Sequence, residues 1–366
     1  MISIEKADVR RFKVNMKVFG IGGGGCNAIN NMIMSDFLNG IDFYAVNTDM
    51  QVLEKTKTPN RMTIGSQLTK GLGAAGDPDI GRKAALEDKD RIKESLADTS
   101  LLFLTTGMGG GTGTGATPVI ATIAKEMGVL TVAVVSKPFE HEGKARTEHA
   151  DRGIEELKQI ADAVIVIPNQ RLYQIQEAPI AFWQAFKMVD NVLLDSVRGI
   201  AELLDTTGVI NVDFSDLSRI MRTTGETFIG FGSGSGENKA VEAAQKAVDC
   251  PLMEDLTMEG ADQVLMNVIG GHDFDLNEMD RVVKVLEKKT GGYKDMKYGV
   301  VIDESMNEKM KVTIIAKSSP KALKRGQEML RNPKIGKDEG NPNVLTLTPP
   351  NRDDFETPAV LRRKVD

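Results

Sequence analysis

The chain has 366 residues, of which 41% are hydrophobic and 27% charged, so it is long enough for two globular domains. A net charge of −6 gives no basis for general nucleic-acid affinity, and we expect no nucleic-acid partner. Two cysteines cannot make a disulfide framework, the charged first residues do not resemble a secretory signal, and no apolar run approaches about 20 residues. We therefore expect a cytoplasmic protein without direct membrane insertion.

The first half alternates strand and helix signals. The predicted strands are short, apolar and mostly β-branched, as buried parallel strands are: Lys17–Ile21, Phe43–Val46, Leu101–Leu104, Leu130–Val135 and Val164–Ile167. The predicted helices between them are Asn27–Met34, Met50–Lys55, Gly81–Leu96, Ala116–Ala124 and Glu148–Ile160. This order predicts a Rossmann-like, doubly wound α/β domain that binds ligands at the carboxyl ends of its parallel strands.

A long helix from about Ile180 to Leu204 follows, with an apolar stripe at steps of three and four residues. Beyond it we predict a smaller α+β domain. Its strands are Phe228–Gly230, Val264–Ile269, Tyr298–Asp303 and Lys311–Ala316, and its helices are Lys239–Val248 and Asn277–Lys288. After Ala316 the chain becomes rich in proline and poor in periodic apolar residues, which indicates a mostly disordered linker.

Five glycines and two threonines fill Met108–Gly115, between a predicted strand and a predicted helix. Glycine lets the backbone approach a ligand closely, and N–H groups at a helix N-terminus favour phosphate. The segment is not a Walker loop, because no Lys-Ser or Lys-Thr follows at the required spacing. A glycine-rich turn without any ligand is the alternative for this segment taken alone.

Two further glycine segments lie in the same predicted domain, at Gly20–Gly25 and Gly71–Gly76. The first satisfies the dinucleotide pattern Gly-x-Gly-x-x-Gly, so a nicotinamide-dependent dehydrogenase is a second hypothesis, with Asp42 or Asp49 as the carboxylate that binds the ribose. Three phosphate-capable segments suit a triphosphate better than a single pyrophosphate.

The motifs together resemble the tubulin/FtsZ family of cell-division GTPases. Gly109–Gly115 resembles the family signature, and Asn211–Asp216 resembles its synergy loop. Further matches to its nucleotide site are Gly22–Ala28, Asn47–Asp49, Gly71–Ala74, Lys137–Phe139, Glu142–Arg146 and Ile167–Asn169. The resemblance covers residues from about 14 to 317, and it implies the tubulin/FtsZ-like fold with a GTPase domain, a long central helix and a smaller α+β domain.

The resemblance implies a set of residues that contact GTP or GDP. These are Gly23, Gly24, Gly25, Cys26, Asn27, Asn47, Gly71, Gly73, Gly109, Gly110, Gly111, Thr112, Gly113, Glu142, Arg146, Asn169, Phe186 and Asp190. No chemistry is assigned to the thiol of Cys26.

Asp190 lies on the apolar side of the long helix, where a carboxylate needs hydrogen-bond donors, and guanine offers two on one edge. The resemblance makes Asp190 and Asn169 the base-reading residues, with Phe186 one turn earlier in contact with the base. A structural aspartate that accepts from backbone amides is the alternative. For Glu142 and Arg146, four residues apart, the alternative is a simple ion pair on one helix face.

By the same resemblance, Asn211, Asp213 and Asp216 are the catalytic residues, inserted into the nucleotide site of the next subunit in a head-to-tail polymer. Mg²⁺ bound largely through the phosphates is implied, and hydrolysis would depend on polymerisation. Taken without the resemblance, Asp213 and Asp216 would be a helix N-cap and a carboxylate in the first turn. A non-hydrolysing structural filament is the remaining alternative.

The resemblance divides the chain into an N-terminal extension (1–13), a GTP-binding domain (14–178), the central helix (179–205), a C-terminal activation domain (206–317), a disordered linker (318–352) and a tail peptide (353–366). The tail Asp354–Asp366 regains apolar residues and resembles the family peptide that binds membrane-anchored adaptors and regulators. We therefore expect a protein at the mid-cell division site, beneath the inner membrane.

Overall fold

The computed structural model describes residues 14–35, 40–174, 181–205, 208–223, 225–249, 258, 260–318, 336–337 and 345–346. The described residues form two compact units, one up to Arg222 and the other from Thr223 onwards. The N-terminal extension, most of the linker and the tail peptide lie outside the described residues.

The first unit contains one six-stranded parallel sheet. Its strands are β1 (Met16–Ile21), β2 (Asp42–Asn47), β3 (Asn60–Thr63), β4 (Leu101–Gly107), β5 (Leu130–Lys137) and β6 (Ala163–Pro168). Their order across the sheet is β3-β2-β1-β4-β5-β6. The predicted doubly wound α/β domain is therefore confirmed.

The helices of this unit are α1 (Gly22–Met34), α2 (Met50–Glu54), α3 (Ser66–Thr69), α4 (Pro78–Glu87), α5 (Lys89–Ser95), α6 (Gly111–Glu126), α7 (Lys144–Ile160), α8 (Asn169–Gln174), α9 (Phe182–Asp205) and α10 (Phe214–Arg222). A 3₁₀ turn at Glu140–Glu142 precedes α7. None of the helices that the structure describes has the length and apolar composition to cross a bilayer.

Both faces of the sheet are covered. Phe19 and Leu104 lie in the core cluster that includes Ile120 of α6, and Ile154 of α7 belongs to the same cluster. Phe103, which alternates with Leu104, is also fully buried. On that second face α1 contacts β1, β2 and β4, while α9 contacts α1, β5 and β6. Burial on both sides explains why these strands read as continuous apolar runs.

The structure differs from the prediction at one predicted helix and contains one strand that was not predicted. The predicted helix Gly81–Leu96 is wrong as one element, because α4 and α5 meet at Asp88, whose backbone leaves the helical region at φ −103° and ψ 23°. The Asp88 carboxylate accepts a hydrogen bond from the N–H of Gly65 at 2.7 Å, which ties the break to the segment before α3. Strand β3 was not predicted, since its sequence Asn-Arg-Met-Thr is short and polar. Within the described part of the chain it is an edge strand paired with β2.

Helix α9 runs from the carboxyl edge of the sheet towards its amino edge. At its start, Phe186 contacts Phe139, which follows the carboxyl end of β5, with 5.4 Å between ring centroids. The 24 residues of α9 span roughly 36 Å, whereas the eight residues of β5 span roughly 26 Å. The chain therefore reaches the opposite edge of the sheet before α10 begins.

The second unit is the predicted smaller α+β domain. It contains β7 (Glu226–Ser235), α11 (Lys239–Val248), β8 (Ala261–Gly270), α12 (Leu276–Thr290), β9 (Asp295–Ile302), a 3₁₀ turn at Glu304–Met306 and β10 (Lys309–Ser318). The strand order is β7-β10-β8-β9, antiparallel except for the parallel pair β8 and β9. Two short strands, β11 (Gly336–Lys337) and β12 (Leu345–Thr346), pair with each other.

Candidate nucleotide site

The order of the first sheet changes direction between β1 and β4, and each of these neighbouring strands is followed by a glycine segment. Ligands of open α/β sheets bind in the crevice at such a switch point. The predicted loops are in fact mostly first helical turns, since α1 begins at Gly22 and α6 at Gly111. First-turn N–H groups have no partner within the helix, so two sets of anion-binding donors meet at this crevice.

The glycines fall into two groups. A Cβ on Gly24 would lie 3.1 Å from the N atom of Gly107, and one on Gly113 would lie 2.3 Å from Oγ1 of Thr106. These glycines let the two segments and β4 approach each other. A Cβ on Gly23 or Gly110 would meet nothing within 4 Å. Open space beside two helix N-termini is where the phosphates of a nucleotide fit.

Gly111 belongs to the first group. Its Cβ would lie 2.8 Å from the N atom of Asp77 and 2.9 Å from Cβ of Ala74. Part of the glycine content in the signature therefore serves the close packing of α6 against the segment that leads into α4, a reason that the sequence pattern alone does not reveal.

The third glycine segment joins the other two. Gly71 and Gly73 have φ values of +74° and +92°, which favour glycine. The N–H of Gly73 donates to the carbonyl of Thr48 at 3.1 Å, and the buried hydroxyls of Thr48 and Thr112 lie 2.6 Å apart. All three segments predicted to hold phosphate are thus held at one edge of the sheet.

Asn47 and Cys26 form the layer beneath the first segment. Nδ2 of Asn47 contacts Sγ of Cys26 at 3.8 Å, and Oδ1 of Asn47 accepts from the N–H of Asp49 at 3.2 Å. Burial raises the pKa of the Cys26 thiol to about 12, against a smaller lowering by Asn47. Cys26 therefore offers a ligand its backbone rather than a thiolate. Asn27, the next residue, is exposed.

The two carboxylates required by the dehydrogenase hypothesis are poorly placed. Asp42 begins β2, so it lies at the edge of the sheet opposite the glycine segments. Asp49 lies at the correct edge, but its Oδ1 caps α2 by accepting from the N–H groups of Gln51 and Val52 at 2.9 and 3.4 Å.

The predicted base-reading residues follow β6 and lie on α9. Oδ1 of Asn169 is buried and has no hydrogen-bond partner among the described residues. Burial raises the pKa of the Asp190 carboxyl from 3.8 to about 7, and none of the described residues donates a hydrogen bond to it. The alternative was a structural aspartate that accepts from backbone amides, and the described residues provide no such hydrogen bond. Two desolvated acceptors without donors suit the N1–H and 2-amino groups of guanine.

Glu142 and Arg146 form the ion pair that was the alternative for this spacing. Their side chains meet at 2.8 Å, and the other oxygen of Glu142 accepts from the N–H of Phe139 at 2.9 Å. The start of α7 also lies against the signature segment, because a Cβ on Gly109 would be 2.7 Å from the carbonyl oxygen of Arg146. The half-exposed Arg146 thus lies beside the glycines of the signature segment and is also paired with Glu142.

The predicted catalytic residues lie elsewhere. Oδ1 of Asp213 accepts from the N–H of Asp216 at 2.7 Å and so caps α10. At the other end of this helix Arg222 donates to the carbonyl of Gly128 at 2.9 Å, and its Nε lies 3.9 Å from Asp162. Gly128 and Asp162 precede β5 and β6, so α10 is attached to the amino edge of the sheet. The structure does not bring Asn211, Asp213 and Asp216 to the glycine segments of their own chain.

Sequence reasoning missed two features of the site. The hydroxyl of Ser136, at the carboxyl end of β5, would lie 3.6 Å from a Cβ on Gly107, so it borders the crevice. Asn31 and Asn191 join α1 to α9 through their side chains at 3.0 Å. Neither feature has a local sequence signal, because each depends on contacts between distant residues.

This arrangement defines a class of protein, one that binds a nucleotide across a Rossmann-like switch point with three glycine segments and acceptors suited to guanine. Comparison with known families identifies it further. Residues 15–177 match the model described as "Tubulin/FtsZ family, GTPase domain", and residues 225–318 match "FtsZ family, C-terminal domain".

Individual relatives agree. The chain is 41% identical to the cell division protein FtsZ of Pseudomonas putida over 355 residues, 95% of this chain and 89% of the relative. It is 44% identical to FtsZ of Buchnera aphidicola over 301 residues, 82% and 78% of the two chains. A solved FtsZ dimer of M. jannaschii superposes with a TM-score of 0.77 at 39% identity, covering 85% of this chain and 90% of that one. CetZ2 of Haloferax volcanii, at 20% identity and a TM-score of 0.72, shares the fold.

The chain belongs to the tubulin/FtsZ family. It is a GTPase of cell division that binds GTP and GDP, as the resemblance of its motifs implies. The comparisons give no support to the dehydrogenase hypothesis.

Proposed function

We propose that this GTPase assembles head to tail, and that GTP is hydrolysed where Asn211, Asp213 and Asp216 of one subunit meet the nucleotide of the next. The observation that carries the proposal is the attachment of α10 to the amino edge of the sheet through Arg222, whereas the glycine segments lie at the carboxyl edge. A contact that repeats one edge against the opposite edge is heterologous, so it extends into a filament rather than closing as a dimer.

Exposed apolar side chains at both edges support this assembly. Near the third glycine segment, Leu72 is 80% exposed and Met50 is half exposed. In the segment before α10, Val209 is 74% exposed and Ile210 is 40% exposed. Burial of these apolar side chains by a second copy of the chain would be favourable, because it removes apolar surface from water. Two solved relatives, an FtsZ dimer and a CetZ2 protofilament, agree with self-association.

The shared site suits the chemistry of phosphoryl transfer, which needs positioning and charge neutralisation more than covalent catalysis. Mg²⁺ binds through phosphate oxygens and only a few carboxylates, and it would neutralise charge on the phosphates. Asp213 is exposed and offers carboxylate oxygens. Asp216 is partly buried, and its carboxylate lies 3.8 Å from Arg219 on the same helix. We assign Asp213, Asp216 and Asn211 to the positioning of water or cation at the γ-phosphate.

The cellular setting is inferred from the relatives and from the tail. Relatives named for cell division support a filament at the mid-cell division site, beneath the inner membrane. The apolar tail Asp354–Asp366 is the segment that would bind membrane-anchored adaptors and regulators by folding on contact. This prediction concerns residues outside the described part of the chain.

The test is the rate of phosphate release from GTP against protein concentration. A site completed by a second subunit gives negligible turnover below a threshold concentration and a steep rise above it. A self-contained site gives a rate proportional to concentration from the lowest value, which would overturn the proposal. A non-hydrolysing filament would sediment with GTP without releasing phosphate at any concentration.

A further inference from the structure

A hydrogen bond between two asparagine side chains holds the amide group of the residue that follows Asp190, the proposed base-reading carboxylate. Nδ2 of Asn31, on α1, donates to Oδ1 of Asn191, on α9, at 3.0 Å. Asn191 directly follows Asp190, and Asn31 lies one helical turn beyond Asn27 of the first glycine segment. The oxygen of the Asn191 amide is thus occupied. Its NH₂ group has no partner among the described residues and remains available as a donor.

The two proposed base-reading groups are acceptors. Oδ1 of Asn169 is buried without a partner, and the Asp190 carboxyl has no donor in the described part of the chain. The Watson–Crick edge of guanine presents a 2-amino donor, an N1–H donor and an O6 acceptor. Two acceptors and one donor complement this edge. Adenine presents an acceptor at N1 and a donor at its 6-amino group, so it opposes both Asp190 and the Asn191 amide.

We propose that Asn191 is a specificity-determining residue, which donates a hydrogen bond from Nδ2 to O6 of guanine, and that Asn31 is the positioning residue that turns the amide for this contact. The inference rests on the proposed base reading by Asp190 and Asn169 and extends it to the third group of the guanine edge. A site that hydrogen-bonds a substrate group rejects an analogue lacking that group, because its own polar atom is then left unpaired.

The first test isolates the O6 contact. GTP and 6-thio-GTP both carry N1–H and the 2-amino group, but sulfur at position 6 is a weak acceptor. Binding can be followed by the fluorescence of Trp183, the single tryptophan of the chain, which lies two turns before Asn191 on α9. Titrations are made below the assembly threshold. The native protein should prefer GTP over 6-thio-GTP by roughly 5- to 10-fold, the ratio expected for one hydrogen bond.

In Asn191→Ala this preference should vanish, because GTP binding weakens by that factor while 6-thio-GTP binding changes little. The ratio of GTP to ITP affinity should stay at its native value, since ITP differs from GTP only in the 2-amino group that Asn169 and Asp190 read. A native preference for GTP over 6-thio-GTP in Asn191→Ala would overturn the inference.

A second variant leaves residue 191 unchanged. In Asn31→Asp the introduced carboxylate accepts from Nδ2 of Asn191, which turns the amide oxygen towards O6 and should also abolish the preference. Asn30→Asp is the matched control, because it adds the same charge to the neighbouring position, where the side chain accepts from the N–H of Lys57 at 2.8 Å. Equal nucleotide ratios in Asn31→Asp and Asn30→Asp would remove Asn31 from the proposed role.

The outcome for Asp190 separates base reading in general from the O6 contact. If Asp190→Ala binds GTP as tightly as the native protein, the base-reading assignment itself fails. If Asp190→Ala weakens GTP binding while Asn191→Ala keeps the native preference, base reading stands and only the O6 contact is wrong.

Discussion

At the scale of single residues, Asp190 should make the affinity for GTP depend on pH. Burial raises the pKa of its carboxyl to about 7 in the free protein, and guanine N–H donors favour the ionised form. Below about pH 7, GTP binding must displace a proton, so GTP affinity should fall as pH is lowered from 8 to 6, by at most about tenfold per pH unit. Calorimetry at a series of pH values measures this slope.

Asp190→Asn is the control for this prediction, because it keeps the shape of the side chain and removes its ionisation. The variant should bind GTP more weakly at pH 8, by about 1.5–3 kcal/mol, the range for hydrogen bonds to a charged group. Its remaining pH dependence reports the titration of the nucleotide alone. Identical slopes for Asp190→Asn and the native protein would show that Asp190 does not titrate on binding.

Substitutions at two neighbouring glycines can separate a role in phosphate binding from a role in packing. Gly110 has extended backbone angles of φ −88° and ψ 171°, which alanine adopts freely, and its Cβ would enter open space. Gly110→Ala should therefore keep the thermal stability and weaken GTP binding. Gly111→Ala places its Cβ within 2.9 Å of Asp77 and Ala74, so it should lower the melting temperature. A native GTP affinity in Gly110→Ala would mean that phosphate does not occupy this space.

The sequence predicted some of these residues well and gave no signal for others. The glycine segments carry strong local signals, since a run of glycines between a strand and a helix is typical of a backbone that closely approaches a ligand or a neighbouring segment. The sequence did not distinguish Gly110 from Gly111, because the difference lies in which atoms of the segment before α4 lie nearby. The Asn31–Asn191 contact joins residues 160 positions apart, so periodicity contains no trace of it.

At the scale of elements, one side chain at the start of α10, that of Asp213, has both a proposed catalytic role and a structural role. Asp213 caps the helix, so Asp213→Ala should cost roughly 0.5–2 kcal/mol of stability in addition to any loss of hydrolysis. Asp213→Asn separates the two roles, because asparagine is an equally good N-cap without the charge. We expect normal GTP binding, normal sedimentation and a large loss of phosphate release in Asp213→Asn. Full turnover by its assembled filaments would remove Asp213 from the catalytic residues.

Elements buried on both faces were the easiest to predict. β4 and β5 contain apolar runs without the polar face of an amphipathic helix. Both begin at the predicted residues and extend two or three residues beyond the predicted ends. The break between α4 and α5 was missed because helical spacing continues through it. It depends on the hydrogen bond from Gly65 to Asp88, a tertiary contact that overrides local propensity.

At the scale of the whole molecule, the proposed shared site predicts complementation between two inactive variants. Asp213→Asn supplies subunits that bind GTP but lack the Asp213 carboxylate. Gly110→Asp, with a carboxylate in the phosphate space, should supply subunits that bind no GTP but present native Asp213 and Asp216. Each variant alone should be inactive. An equal mixture should recover up to about one quarter of native turnover, because one interface in four then combines both intact halves.

Sedimentation of the mixture must show that both variants enter the same filaments. Co-assembled mixtures with no recovery at any ratio would contradict a site shared between subunits. Recovery without assembly would contradict a site that only a filament completes.

In the proposed head-to-tail assembly, the attachment of α10 to the amino edge of the sheet also sets a direction. If the two halves of each site lie on opposite edges, such a filament of n subunits contains only n − 1 complete sites. One terminal subunit then holds GTP that no catalytic aspartates reach, and the other presents aspartates without a nucleotide to act on. The proposal therefore makes the two ends of the filament chemically different, and it predicts that the nucleotide at one end outlasts every nucleotide in the interior.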